Sequence, residues 1–252
     1  MRTVLIAILI CGTWAIELVS TAQDKVPPPK TDLAFDAREV PPPDPKRGKP
    51  VARVLDQYLY LDQLGGKLPR DDADARYKLQ GLIFGPLLER VVKRESITAT
   101  EQEMHRAAKF LDDAQRRLLP DLKPEGSPEQ MTAAFREVGQ ELVLQWKTDR
   151  ALYQRYGGPV IFQQGNPLEP VGAYRRFLED VERGGAFEIH DPDHRKAFYD
   201  YFTRRHPGVV PKELINYDKP WWVRTEDQRS NGLRRAKQAE RFNERKQTTQ
   251  TK

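Results

Sequence analysis

The chain has 252 residues, a formal net charge of +5 at neutral pH and a single cysteine, Cys11. The charge is unevenly distributed: residues 224–252 carry nine Lys/Arg and four Asp/Glu, a net +5, so residues 1–223 carry 33 of each sign and sum to zero. A nucleic-acid-binding domain needs a basic face on its folded part. Because the body of this chain is neutral, we predict no nucleic-acid partner.

Residues 1–22 have the pattern of a secretory signal peptide, with a basic start, an apolar run over residues 4–16 and small residues at 20–22. The alternative is an uncleaved membrane anchor, but a span requires about 20 apolar residues and this run is shorter. We predict cleavage near Ala22 and export to the periplasm or cell envelope. Cleavage removes Cys11, so no disulfide, thiolate nucleophile or cysteine-based zinc site is expected.

Composition divides the remaining chain into three parts. Residues 23–50 contain eight prolines, which predicts an extended spacer of polyproline II type; the alternative is a docking peptide for a proline-reading partner. Residues 51–223 are long enough to bury one apolar core without disulfides. Residues 224–252 are charged and poor in apolar side chains, which predicts a disordered or helical basic tail.

Three short runs have strand character. Residues 51–55 and 58–61 are rich in β-branched and aromatic side chains, which predicts a hairpin turning at Asp56 and Gln57. A third run covers residues 159–164, and a short strand is not stable alone. We predict that it pairs with the segment beginning at Val51. The expected fold class is mainly α, with a small β element formed by the segments near 51–61 and 159–164.

Apolar periodicity predicts five helices, over about 72–94, 100–119, 127–157, 167–183 and 191–206. The third is the longest, and it opens on a capping box in which Ser127 is the N-cap and Gln130 is at N3. Its apolar stripe has one polar interruption, at Asp149. Pro86 lies inside the first helix and is predicted to kink or split it, because proline has no N–H to donate to the preceding turn.

Two stretches resemble the N-terminal domain of SurA-type periplasmic chaperones. Residues 51–54 followed by 58–60 are similar to the strand pair that opens that domain, and residues 87–90 through 96–103 are similar to its short link between two helices, the second capped by an acidic box. The part of the chain after Gly158 is too short for a parvulin isomerase domain. The resemblance implies polypeptide binding without prolyl isomerisation.

Aromatic residues are concentrated in the second half of the chain, and most have the helical spacing of core residues. Trp221 and Trp222 are adjacent, and two neighbouring indoles are difficult to bury together. An exposed apolar patch of this kind would suit an unfolded or extended polypeptide. The predicted binding residues are Trp146, Tyr153, Tyr156, Phe162, Trp221 and Trp222.

The segment His190-Asp191-Pro192-Asp193-His194 admits a catalytic interpretation, because two imidazoles and nearby carboxylates are ligands for a divalent metal. The interpretation that we favour makes Asp191 a helix N-cap and Pro192 the first helical residue. We therefore predict no metal site. The chain contains no P-loop or Gly-x-Gly-x-x-Gly motif, so we also predict no cofactor.

Three hypotheses about function follow. The first is an exported, chaperone-like protein that binds polypeptides and is not an enzyme. The second is a structural or assembly component of the cell envelope, tethered by the proline-rich segment and by a basic tail that contacts anionic lipid headgroups. The third is a metal-dependent hydrolase that uses His190, Asp191 and His194.

Overall fold

The computed structural model describes residues 40–118, 127–163 and 166–223. Helices dominate these ranges and a three-stranded antiparallel sheet accompanies them, so the predicted fold class is confirmed. The signal peptide, most of the proline-rich segment and the basic tail lie outside the described residues. The elements are β1 (Ala52–Val54), β2 (Gln57–Leu59), α1 (Ala73–Arg94), α2 (Glu101–Leu118), α3 (Pro128–Tyr156), α4 (Val171–Arg183), β3 (Phe187–Ile189) and α5 (Pro192–Thr203).

The predicted hairpin is present, with β1 and β2 antiparallel and Ala52 opposite Leu59. Its turn contains Leu55 at φ +54°, a conformation that glycine adopts more readily than leucine. The Leu55 N–H donates to the carbonyl of Ala186 at 2.6 Å, and this bond ties the turn to the chain entering β3. The hairpin is therefore held by the segment behind it as well as by its own pairing.

The partner predicted for β1 was wrong. In the sheet, β1 lies between β2 and β3, and Val54 is opposite Phe187. The described part of the predicted third strand, residues 159–163, does not pair with this sheet: Ile161 instead forms isolated antiparallel bridges with Glu169 and Val209. The strand β3 is only three residues long, so its alternation of buried Phe187, exposed Glu188 and buried Ile189 is too short for periodicity to reveal.

The helix α1 supplies the centre of the main core. Its buried residues recur at every fourth position, and Leu79, Ile83 and Leu87 are completely buried. The helix is not split at Pro86. The residue before a proline is normally kept out of helical geometry by its own Cβ, and here that residue is Gly85, which has none. Tyr77, a large aromatic residue near the start of the same helix, is 78% exposed.

The helices α2 and α3 form a long antiparallel pair, and both predicted capping boxes are present. The two backbones come closest at Gly139, where an added Cβ would lie 3.0 Å from the Met104 carbonyl oxygen and the Ala108 nitrogen. Beyond this crossing, none of the described side chains of either helix is buried. We call residues 108–118 and 128–138 the arm; at 1.5 Å per residue it extends about 15 Å.

The helix α3 ends against α4 at a second close contact. Gly157 and Gly158 both have positive φ, at +58° and +101°, a region that glycine adopts without a steric penalty, and the helix ends there. The chain then crosses the start of α4 at Gly172, whose N–H donates to the Pro159 carbonyl at 2.9 Å. This hydrogen bond ties the chain that follows α3 to the first turn of α4.

Candidate functional site

The structure brings most of the predicted binding residues together. Trp146 and Trp222 are buried, with ring centroids 6.0 Å apart, and Trp221 lies 5.5 Å from Trp222. Tyr153 and Phe162 are half-buried at the edge of the same group. We call this group the aromatic cluster; its members are Phe110, Trp146, Tyr153, Phe162, Tyr217, Trp221 and Trp222.

One predicted binding residue belongs elsewhere. Tyr156 is buried in the main core, where its ring packs against Phe177 at 6.1 Å and its hydroxyl donates to Asp180 at 3.1 Å. Burial raises the pKa of this hydroxyl well above its usual value. Tyr156 therefore does not belong to the aromatic cluster. Its contacts with Phe177 and Asp180 hold α3 against α4.

A cleft of about 340 Å³ lies where the aromatic cluster reaches the surface. It is bounded by α2 on one side and by the short 3₁₀ turn Trp221–Val223 on the other. Phe110, Ala114, Trp222 and Val223 give it an apolar lining. We call it the α2 cleft. Its size is at the lower end of the range for ligand pockets and suits one bulky side chain.

An apolar row follows the arm and continues one helical turn beyond it, to Leu142. Along α3, Met131, Phe135, Val138 and Leu142 recur at steps of four, three and four, and Val138 is 42% exposed. Phe110 and Ala114 belong to this row and also line the α2 cleft, so row and cleft together offer a partly uncovered apolar surface. The residues of the row, all partly or fully exposed, are Phe110, Leu111, Ala114, Met131, Phe135, Val138 and Leu142.

Cations surround the α2 cleft. Arg106, Lys109 and Arg117 line it, against a single carboxylate, that of Asp113. Asp113 is already paired with Lys109, at 3.5 Å. Among the lining residues cations therefore outnumber carboxylates three to one, although the body of the chain is neutral.

A buried carboxylate that the sequence did not identify as important lies one turn along α3 from Trp146. Asp149 is 2% exposed; it accepts hydrogen bonds from the Tyr174 hydroxyl and, at 2.8 Å, from the Asn166 amide. Within the described ranges no Lys, Arg or His lies within 4.0 Å of it. Burial raises its pKa to about 7, although both hydrogen bonds act in the opposite direction. The one feature of the sequence that pointed to Asp149 was that it interrupts the apolar stripe of α3.

A second carboxylate without a nearby cation in the described ranges adjoins the first. Glu169 accepts from the Tyr201 hydroxyl at 2.8 and 2.9 Å, and Gln163 donates to the same hydroxyl at 3.0 Å. Burial raises the pKa of Glu169, and its charge further raises that of Asp149. Through these hydrogen bonds the two carboxylates connect Gln163 and Asn166 to the helices α3, α4 and α5.

In the segment from His190 to His194, Asp191 is the N-cap of α5, as the favoured interpretation predicts. Asp191 accepts N–H bonds from Asp193 and His194 at 2.8 and 3.1 Å, as an N-cap does. The two histidines differ in surroundings: His194 is 4% exposed with Nδ1 at 3.7 Å from Asp191, and His190 lies 3.5 Å from Glu188. No group of three or more His, Cys, Asp or Glu among the described residues is arranged to hold a metal ion.

A larger cleft, of about 670 Å³, lies at the turn end of the hairpin, between that turn and α1. Its lining mixes both signs of charge, with Arg53 and Lys93 facing Asp56 and Glu89. The Arg53 guanidinium donates to two turn carbonyls, those of Leu55 and Gly185. Because this arginine closes the two turns against each other, we assign the larger cleft a structural role and place the candidate site at the α2 cleft.

No protein-family model matches the chain, and no curated protein or solved structure matches it. The resemblance to SurA-type chaperones therefore stays a prediction. Of the helices in residues 40–118, 127–163 and 166–223, none combines the length and the apolar character needed to cross a membrane.

Proposed function

We propose that the protein is an exported, chaperone-like binder that holds unfolded or extended polypeptide segments on the arm and in the α2 cleft. It acts without a nucleotide and without prolyl isomerisation. One observation supports the proposal: the apolar row of the arm remains partly exposed along its whole length and shares Phe110 and Ala114 with the aromatic-floored α2 cleft. A soluble protein rarely leaves such a surface open unless another molecule covers it.

The expected strength of binding fits a holding function. Covering roughly 400 Å² of apolar surface would contribute about 10 kcal/mol at 25 cal/mol per Å². Association costs about 4 to 15 kcal/mol in lost freedom, so the net affinity is weak. A weak, largely apolar site binds many sequences and releases them readily, as a protein that protects unfolded chains must do.

Suppression of aggregation tests this proposal. The mature chain, at several-fold molar excess, is expected to reduce light scattering from an unfolded outer-membrane protein. Val138→Gln is expected to weaken this suppression several-fold, because it places a polar group in the middle of the apolar row while keeping a good helix former. Its effect on stability should be small, since Val138 is already 42% exposed.

Tyr77→Gln is the matched control, because Tyr77 is a large exposed side chain on α1, away from the arm. It is expected to leave suppression unchanged. Absence of suppression by the unmodified chain would contradict the proposed function. Equal loss in both variants would show that binding does not use the arm.

The hypothesis of an envelope component depends on residues 23–39 and 224–252, which lie outside the described residues. Its distinguishing test is deletion of either segment: loss of localisation with intact aggregation suppression would assign tethering to that segment and binding to the arm. Contact of the basic tail with anionic lipid belongs to the same proposal.

A further inference from the structure

We propose that the α2 cleft selects polypeptide segments in which a bulky apolar side chain is flanked by carboxylates. This inference rests on the proposed function and specifies the client. The apolar side chain would enter between Phe110 and Trp222, and the flanking carboxylates would meet the cations on the rim.

The floor of the cleft is preorganised by ring contacts. Trp222 is 5% exposed and packs edge-on against Trp146 and Trp221, at 6.0 and 5.5 Å. Phe110 in turn meets Trp221 edge-on at 5.3 Å. Because these rings hold one another, the cleft does not have to form when a client arrives, and the ordering cost of binding is reduced.

The cations of the rim follow one face of α2. Arg106, Lys109, Asp113 and Arg117 are separated by steps of three, four and four, which is the spacing of neighbours on a helix surface. The single carboxylate is engaged by Lys109, and Arg106 has no carboxylate within 4.0 Å in the part of the chain that the structure describes. A client with Asp or Glu beside its apolar residue would complement this face, whereas Lys or Arg there would be repelled.

The expected selectivity is moderate, since exposed ion pairs are screened by solvent. An ion pair with Arg106 predicts that an acidic-flanked segment binds about two- to fivefold more tightly than a neutral one at low ionic strength. The advantage should largely disappear at about 0.5 M salt, where the screening length falls below the separation of the charges. The apolar part of the affinity should persist there.

Fluorescence anisotropy on the full mature chain tests the inference. Three labelled peptides share a central Trp-Leu pair and differ only in their flanks, which are Glu, Ser or Lys. We expect the order of affinity Glu, then Ser, then Lys. Arg106→Glu should abolish the preference for the Glu peptide, and Lys196→Glu, which makes the same change of net charge at an exposed site on α5, should preserve it.

The other outcomes separate the two proposals. Equal affinity for all three peptides would overturn the charge selectivity and leave the proposed function standing. No binding of any peptide, together with no suppression of aggregation, would overturn both. If Arg106→Glu weakened binding to phosphatidylglycerol vesicles but left peptide binding unchanged, the rim would belong to a lipid headgroup site and the inference would be wrong.

Discussion

Asp149 is expected to add about 1.4 kcal/mol to the free energy of unfolding for each pH unit as the pH falls from about 7 to about 4, and Asp149→Asn should remove this contribution. The cause is the burial of Asp149, which raises its pKa from 3.8 to about 7. Between those values the folded chain holds a proton that the unfolded chain has released. The stabilising contribution is therefore complete below about pH 4, is lost as the pH rises through about 7, and amounts to about 4 kcal/mol in total.

Urea denaturation at several values between about pH 5 and pH 8 would measure this dependence, since the exposed carboxylates with lowered pKa values act mainly at more acidic pH. These include Asp62, Asp72 and Asp191, whose stabilising contributions are lost only as the pH falls through their folded values. Equal pH slopes for the unmodified chain and Asp149→Asn would contradict the prediction.

Two further variants distinguish the buried network from a general effect of pH. Tyr174→Phe removes a hydrogen bond that favours the charged form of Asp149, so the loss of stability should move to higher pH. Glu169→Gln removes a neighbouring charge and a second raised carboxyl, so the pH dependence should become shallower. If the pH dependence of the free energy of unfolding changed in the opposite direction in these variants, a group other than Asp149 would dominate it.

Gly172→Ala is expected to destabilise the protein by about 3 kcal/mol, the upper part of the usual range for overpacking. An added Cβ would lie 2.4 Å from Pro159 Cδ and 2.6 Å from Pro159 N. These are backbone and ring atoms that no rotamer change can move away. The hydrogen bond from the Gly172 N–H to the Pro159 carbonyl holds the two segments together, so relief requires its loss or a shift of α4.

Gly81→Ala is the matched control for that substitution. Gly81 is exposed in the interior of α1, and a Cβ there would meet no atom within 4 Å. Alanine should therefore stabilise the protein by about 0.5 to 1 kcal/mol through helix propensity. Thermal unfolding of both variants measures the two changes in stability. A Gly172→Ala variant as stable as the unmodified chain would show that the backbone at Pro159 and Gly172 can move apart at little cost.

Much of the secondary structure follows from neighbours within one helical turn. The capping boxes at Thr100 and Ser127, the N-cap at Asp191 and the glycine stop at Gly157 all depend on contacts between residues close in sequence. The buried stripe of α1 follows from its spacing for the same reason. Local chemistry predicted these elements because the interactions that form them are local.

The environment of single side chains was harder to predict. Val138 and Tyr77 have apolar positions in the sequence pattern but are exposed, because no other described element covers those faces. Asp149 appeared as a defect in a stripe, although Asn166 and Tyr174 make its position a favourable one. Burial depends on what packs against a face, and that information lies elsewhere in the chain.

The sequence by itself determined the helical class, most of the helix ends and the opening hairpin, since each depends on hydrogen bonds between residues near in the chain; the start of α4, at Val171 and not 167, and the end of α5, at Thr203 and not 206, were the exceptions. Only the tertiary structure decided that β3 pairs with β1, that Asp149 and Glu169 are enclosed together and that the arm keeps an open apolar row. These features are set by which segments α4 and the Gly172 crossing bring side by side. A three-residue strand or a single carboxylate carries too little local signal to specify a distant partner.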